Sequence, residues 1–226
     1  MLILALDTTT DSSSVALLEK TKLLGEINAK TSGSHSVRLL PSVDYLLRAS
    51  SLKIEDMAGF AAAAGPGSFT GIRIGLSTIK AFAFASGKQV APVSALTALA
   101  MKLKDSPGRL ISPVIDAKKG EIYTALFESS GNELKEIIPQ GAYTPDQFFS
   151  LLPAHRIIYF IGNGVEVYKE KIQAYLKDKV RFSSRSLFIA YEVGILGYEI
   201  LKTGRGVSGE GLLPVYFRKS QAEEKR

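Results

Sequence analysis

Ala61–Gly87, AAAAGPGSFTGIRIGLSTIKAFAFASG, is the stretch whose reading decides the fold. It reads as the end of a buried strand, a glycine-rich turn and a helix. Met57–Ala64 is small and apolar without alternation, the pattern of a strand covered on both faces. Gly65-Pro66-Gly67 breaks the run, because two glycines around a proline permit a tight path that a Cβ would resist. Ser68 or Thr70 is placed to cap the following helix, expected over Gly71–Ser86. Ile72, Ile74, Leu76, Ile79, Phe82 and Phe84 encircle most of that helix, so most of its faces need cover. Three readings stand side by side: a core helix, a partner-binding helix, and a phosphate cradle. The turn lacks the Gly-Lys-Ser/Thr ending of a P-loop, and there is no Gly-x-Gly-x-x-Gly run.

Upstream, LILAL (2–6), the polar DTTTDSSS (7–14) and VALLE (15–19) form strand, turn, strand. Hydroxyls and backbone N–H groups in such a turn suit phosphate oxygens, and a terminal aspartate suits hydrated Mg²⁺. The bland alternative is a polar turn in which Asp and Thr bond their own backbone. A third strand is expected over Leu23–Lys30, then a polar linker Thr31–Ser34 and an amphipathic helix His35–Ser50 with Pro41 inside it.

Downstream, Gln89–Val93 reads as a strand and Ala95–Lys104 as a helix. Asp105–Arg109, with Pro107-Gly108, marks the expected boundary between an N-terminal lobe (1–106) and a C-terminal lobe (107–226). LISPVID (110–116), a Lys118-Lys119-Gly120 turn and EIYTALFE (121–128) repeat the opening hairpin in plan, which suggests a duplicated two-lobe chain. Gly131–Gly141 reads as a hairpin-like connection. IIYFI (157–161) runs into Gly162-Asn163-Gly164 and a helix, a turn that can hold a nucleotide or simply join strand to helix. A last long helix is expected over Leu187–Leu201, then a charged, mobile tail.

Composition narrows the chemistry. The 226 residues include no cysteine, so neither disulfides nor thiolate sites are available. His35 and His155 lie far apart, so a histidine metal pair, a Ser-His-Asp triad and hence a peptidase are not indicated. The net charge of +6 is compatible with an RNA-bearing partner and equally with a solubilising surface. No apolar run reaches the length of a membrane span, and a cytoplasmic chain is expected.

LALDTTT, AGPGSFTGIRIG and LLPVYFRKSQAEE, with DAKKGEIYTALF between them, closely resemble the TsaB (YeaZ) family along nearly the whole chain. That family is a bacterial subunit of the machinery making N6-threonylcarbamoyladenosine at adenosine 37 of tRNA. The resemblance implies an α/β, actin-like ATPase (ASKHA, RNase H-like) fold of two lobes, each a mixed sheet flanked by helices. It implies that Asp7, Thr8 and Thr9 occupy the first phosphate loop, Asp116 the second, and Gly162, Asn163 and Gly164 the adenosine loop. It further implies a non-catalytic subunit that pairs with and activates TsaD, helps recruit the TsaE ATPase, forms a homodimer in isolation and meets tRNA through the complex. TsaD carries a His-x-x-x-His metal pair; here Leu39 stands four residues after His35, so no metal site is expected. The interface candidates are Leu39, Leu40, Val43 and Leu47 on the first helix and Arg73, Leu76, Ile79 and Lys80 on the second, with Gly65, Pro66 and Gly67 as a structural turn. No cofactor is certain; weak ATP or ADP with Mg²⁺ remains open, and a weak ATPase or phosphotransferase is the alternative function. Lys118 and Lys119 stand where small residues usually admit phosphate, which argues against autonomous hydrolysis.

Overall fold

The computed structural model describes residues 1–30, 35–131 and 133–218; the linker expected at Thr31–Ser34 and the charged tail from Lys219 onward lie outside the described residues. Two compact units emerge, Met1–Ala95 with Phe188–Val215, and Leu96–Leu187 with Tyr216–Arg226.

The first unit opens with β1 (Leu2–Asp7), β2 (Ser12–Glu19) and β3 (Lys22–Lys30), continues with α1 (His35–Ala49), β4 (Gly59–Gly65) and α2 (Phe69–Ser86), and reaches β5 (Val90–Ser94). Its sheet order is β3-β2-β1-β4-β5, antiparallel through β3, β2 and β1 and parallel from β1 onward. Leu4, Leu6, Phe60, Ala62 and Ala64 share a core with Leu39, Val43 and Leu47 of α1 and Ile72, Leu76 and Ile79 of α2. Side chains alternate across a strand, so the intervening residues of β1 and β4 face away from α1 and α2.

The second unit carries α3 (from Ala95 to Met101), β6 (Leu110–Lys118), β7 (Glu121–Ser129), β8 (Leu134–Tyr143), α4 (Pro145–Leu151), β9 (Ile158–Ile161), α5 (Gly164–Leu176) and β10 (Val180–Phe182). Its sheet runs β10-β9-β6-β7-β8. Read from β8, the plan is that of the first sheet: three antiparallel strands, then two parallel ones. The repeat suggested by the two hairpins therefore extends to whole units. The expected connection at Gly131–Gly141 is largely the strand β8. Its exposed residues and its internal Pro139 hide the strand signal, as suits an edge strand.

The last helix, α6 (Ala190–Lys202), departs from the expected 107–226 lobe: it packs on β1, β2, β4 and β5 of the first unit. Two glycines make the contact close. A Cβ at Gly194 would stand 2.3 Å from Leu18 Cδ1, and one at Gly197 2.4 Å from Ala61 Cβ. The Ala-rich β4 is thus sized for a helix backbone on its second face. The Ala190 N–H donates to Ser14 Oγ (3.0 Å) and ties the start of α6 to β2. The chain then returns along the first unit, where the Val215 N–H donates to the Ala64 carbonyl (2.7 Å). A boundary placed at Asp105–Arg109 follows the chain's punctuation and misses this return, because nothing local marks which sheet a late amphipathic helix will cover.

Gly197→Val should destabilise the protein by roughly 1–3 kcal/mol through overpacking against β4. Urea unfolding would register this as a lowered midpoint with an unchanged slope.

Candidate functional site

The β1–β2 turn is built against the N-terminus of α2. Ser68 caps the helix, its hydroxyl accepting from the Gly71 N–H at 3.2 Å, and Thr70 lies inside it. The Ser68 N–H donates to the Thr9 carbonyl (2.7 Å), and the Thr8 hydroxyl donates to the Gly71 carbonyl (2.7 Å). Three glycines at intervals of four admit the turn. An added Cβ would stand 2.1 Å from Thr9 O at Gly67, 2.0 Å from Thr8 O at Gly71, and 2.4 Å from Thr8 Oγ1 at Gly75. Gly65 has φ +123°, and its Cβ would meet the Val215 carbonyl at 2.4 Å. The Gly65–Pro66 peptide is cis.

Asp7, Thr8 and Thr9 are brought together as expected, but as a buried and internally bonded unit. Asp7 Oδ1 accepts from both the Thr9 N–H (2.9 Å) and the Thr9 hydroxyl (2.7 Å). Burial pushes the Asp7 carboxyl up to about 6, partly offset by those two hydrogen bonds. Both threonine hydroxyls are engaged as donors within the fold, Thr8 to the Gly71 carbonyl and Thr9 to the Asp7 carboxylate.

In the second unit, Asp116 meets the Gly162-Asn163-Gly164 turn directly. The Asp116 N–H donates to Asn163 Oδ1 (3.3 Å). A Cβ at Gly162, where φ is +126°, would stand 2.0 Å from Val114 O, and one at Gly164 3.0 Å from Asp116 N. The carboxylate of Asp116 accepts from the Lys118 N–H (2.9 Å) and pairs with Lys118 Nζ (2.8 Å). Lys118 and Lys119 both adopt positive φ (61° and 54°) ahead of Gly120 at the hairpin tip, a conformation that L side chains seldom take. Arg218, in the closing YFRK segment, pairs with Glu121 of β7 at 2.8 Å and bonds the Ala117 carbonyl. Among the described residues, no group of three or more His, Cys, Asp or Glu side chains is arranged to hold a metal ion.

The interface candidates divide by burial. Leu39, Val43, Leu47, Leu76 and Ile79 are core residues of the first unit and have no surface to offer a partner in this conformation. Leu40 and Arg73 are exposed and Lys80 is half-buried. The periodicity located the two helices but could not distinguish the face turned to the sheet. Val37, Tyr45 and Phe84, none of them among the interface candidates, are the apolar residues left most open on α1 and α2.

A family model described as TsaD, tRNA N6-adenosine threonylcarbamoyltransferase, matches residues 20–225. The Bacillus subtilis (strain 168) protein described as tRNA threonylcarbamoyladenosine biosynthesis protein TsaB is 31% identical, over 100% of this chain and 97% of its own length. The chain belongs to the TsaB (YeaZ) family. Among solved structures, YeaZ from Pseudomonas aeruginosa superposes with a TM-score of 0.78 at 27% identity, covering 95% of this chain and 99% of that one. The ROK hexokinase of Thermus thermophilus matches with a TM-score of 0.52 at 11% identity, over 90% of this chain and 100% of its own, which shows the actin-like ATPase fold alone. The family model bears the transferase's name, yet full-length identity runs to TsaB. In this TsaB-family chain Asp7, Thr8, Thr9 and Asp116 are tied into the packing of their own units by internal hydrogen bonds.

The titration of Asp7 gives a signed prediction. Its folded-state value of about 6 lies above the ordinary carboxylate value, so the native state holds a proton that the unfolded state has released. Stability should therefore fall as pH rises from about 4 through 6, by up to about 3 kcal/mol for a two-unit shift. Asp7→Asn should flatten that decline in urea unfolding followed across this range, and should make the protein more stable than wild type above pH 7.

Proposed function

We propose that this chain works in tRNA threonylcarbamoyladenosine biosynthesis as a non-catalytic, actin-like subunit that pairs with and activates TsaD and helps recruit the TsaE ATPase. The observation that carries the reading is the outer face of α1 and α2. These two helices close the core of the first unit, yet they leave large apolar side chains in water, with Tyr45 68% and Phe84 86% exposed. Two grooves adjoin α2. One, of about 500 Å³, is lined by Phe69, Thr70, Arg73, Ile74, Ser77 and Thr78. The other, of about 640 Å³, lies beside Lys80, Phe84, Gln89 and Glu210. An apolar surface of this kind, rimmed by charge, suits a protein partner. Covering it would contribute on the order of 25 cal/mol per Å² before association costs.

Pairing is the mechanism: a second lobe laid on α1 and α2 is held in one orientation by this rigid face, and TsaD is ordered by it. A homodimer would bury the same helices, so self-association and TsaD binding compete. The engaged turns at Asp7 and Asp116 support a role that needs no phosphate chemistry in this subunit. Relatives bearing the TsaB name support the pathway.

Tyr45→Glu and Phe84→Glu should each weaken the complex with TsaD by tenfold or more, and should reduce tRNA modification in the reconstituted system in parallel. Thermal stability should change little, because both side chains stand in solvent. Sedimentation velocity of the mixed subunits reads the pairing. Normal modification by both variants would move the interface off these helices, and brisk ATP turnover by the purified chain alone would replace the scaffold reading with the enzymatic one.

A further inference from the structure

Charge is divided unevenly between the two units. Residues 96–187 and 216–226 carry seventeen Lys and Arg against twelve Asp and Glu, a net +5, whereas residues 1–95 and 188–215 carry eleven against ten, a net +1. Part of the excess gathers at one edge of the second sheet. β10 is the edge strand, and Arg181 stands beside Tyr159 of β9 in parallel register. Register neighbours place their side chains on the same face. The Arg109 guanidinium lies over the Tyr159 ring, 4.5 Å from its centroid. Its other contacts are neutral: Nη1 donates to the Leu103 carbonyl (3.0 Å) and Nη2 to the Ser106 hydroxyl (2.9 Å). Arg181 Nη1 donates to the Asp178 and Val180 carbonyls; the nearby Asp178 carboxylate has its ion pair with Lys179 and also feels the Arg181 charge. Arg185 reaches across to the Lys102 carbonyl and pairs with Asp105 at 2.7 Å. Arg109 and Arg181 thus flank the half-exposed Tyr159, and Arg185, just beyond β10, joins this edge to the segment that carries Lys102 and Lys104.

The geometry points to a direct RNA-binding surface here, one that takes the phosphodiester backbone of tRNA on these cations. Arginines held by carbonyls keep their charge for a phosphate while their rotamers are fixed in advance, which lowers the ordering cost of binding. The Arg109–Tyr159 stack adds a planar, π-rich element of the sort that unpaired bases accept. An anionic membrane would use the same charges but gains nothing from that stack. The choice of tRNA as the RNA rests on the pathway proposed above. The surface itself belongs to the second unit and does not depend on the α1–α2 face.

The test is binding of a fluorescently labelled, unmodified tRNA transcript to the purified full-length chain, followed by anisotropy between 25 and 200 mM KCl in the absence of TsaD. Wild type should bind, with affinity falling steeply as salt rises. Arg181→Glu/Arg185→Glu should raise Kd at least tenfold and flatten the log–log salt slope by about one to two. Lys20→Glu/Lys22→Glu, at the exposed β2–β3 turn of the first unit and off the α1–α2 face, should leave binding nearly unchanged. Circular dichroism and pairing with TsaD should be normal in both double variants, which separates failure of this surface from failure of the scaffold reading. Equal binding by wild type and the Arg181/Arg185 variant would overturn the inference. So would equal loss in the control variant, or heparin and anionic phosphatidylserine vesicles bound as tightly as the transcript.

Discussion

The first unit depends on one close approach: the backbone of Thr8 and Thr9 laid against Gly67, Gly71 and Gly75. The Thr8 carbonyl occupies the space where a Cβ at position 71 would be, so no other residue type fits without moving the turn or the helix. That contact fixes where β1 ends relative to the start of α2. With β1 and β4 already parallel neighbours, it also fixes the pitch of the helix across the sheet. Ile72, Leu76 and Ile79 then fall on Leu4, Leu6 and Phe60, and the remaining side of α2 is left to solvent. The exposed position of Phe84 is thus a consequence of the turn more than fifteen residues earlier, because the phase of a helix is set at its start.

The same device is used twice. In the second unit, the glycines at 162 and 164 admit the end of β6, as those at 67 and 71 admit the end of β1. Strand, small-residue turn and helix recur at equivalent places in two sheets of one topology. Strand, small-residue turn and helix N-terminus make a pattern that a phosphate can use. Here the space is occupied by the chain's own backbone. Thr8 and Thr9 donate inward, and Lys118 neutralises Asp116. Packing and ligand binding ask for the same residues, glycine and small hydroxyls, so the pattern alone could not decide between them.

Much of the fold was legible in the sequence because its signals are local. The buried β4, the Ser68 cap, the paired hairpins and the apolar stripe of α1 follow from periodicity and turn chemistry within a few residues. The destination of α6 was not legible. Gly194 and Gly197 read as weak points in a helix until Leu18 and Ala61 are set beside them. β8 was hidden by its exposed, proline-containing edge sequence, and the three-residue β10 was too short to carry a period. Of the eight interface candidates on α1 and α2, five proved to be core. A strongly apolar stripe marks the face that has already found its cover, so the residues left for a partner are the isolated ones, such as Tyr45 and Phe84, that break the polar side.

That asymmetry bears on how such a subunit acts. A helix pair whose inner face is locked to a sheet cannot rotate to present a different outer face without disrupting the core cluster, which costs several kcal/mol for each large side chain displaced. The outer face is therefore presented in one orientation before any partner arrives, and little conformational freedom is lost on binding. In the second unit, Arg109 and Arg181 are held in place by carbonyls before any ligand is present. Each unit offers a preformed surface, apolar in one and cationic in the other, and each surface is rigid because the residues beneath it are engaged in packing rather than chemistry. Turns held by their own internal contacts at Thr8, Thr9 and Asp116 add to that rigidity, and rigidity is the property the proposed pairing role needs.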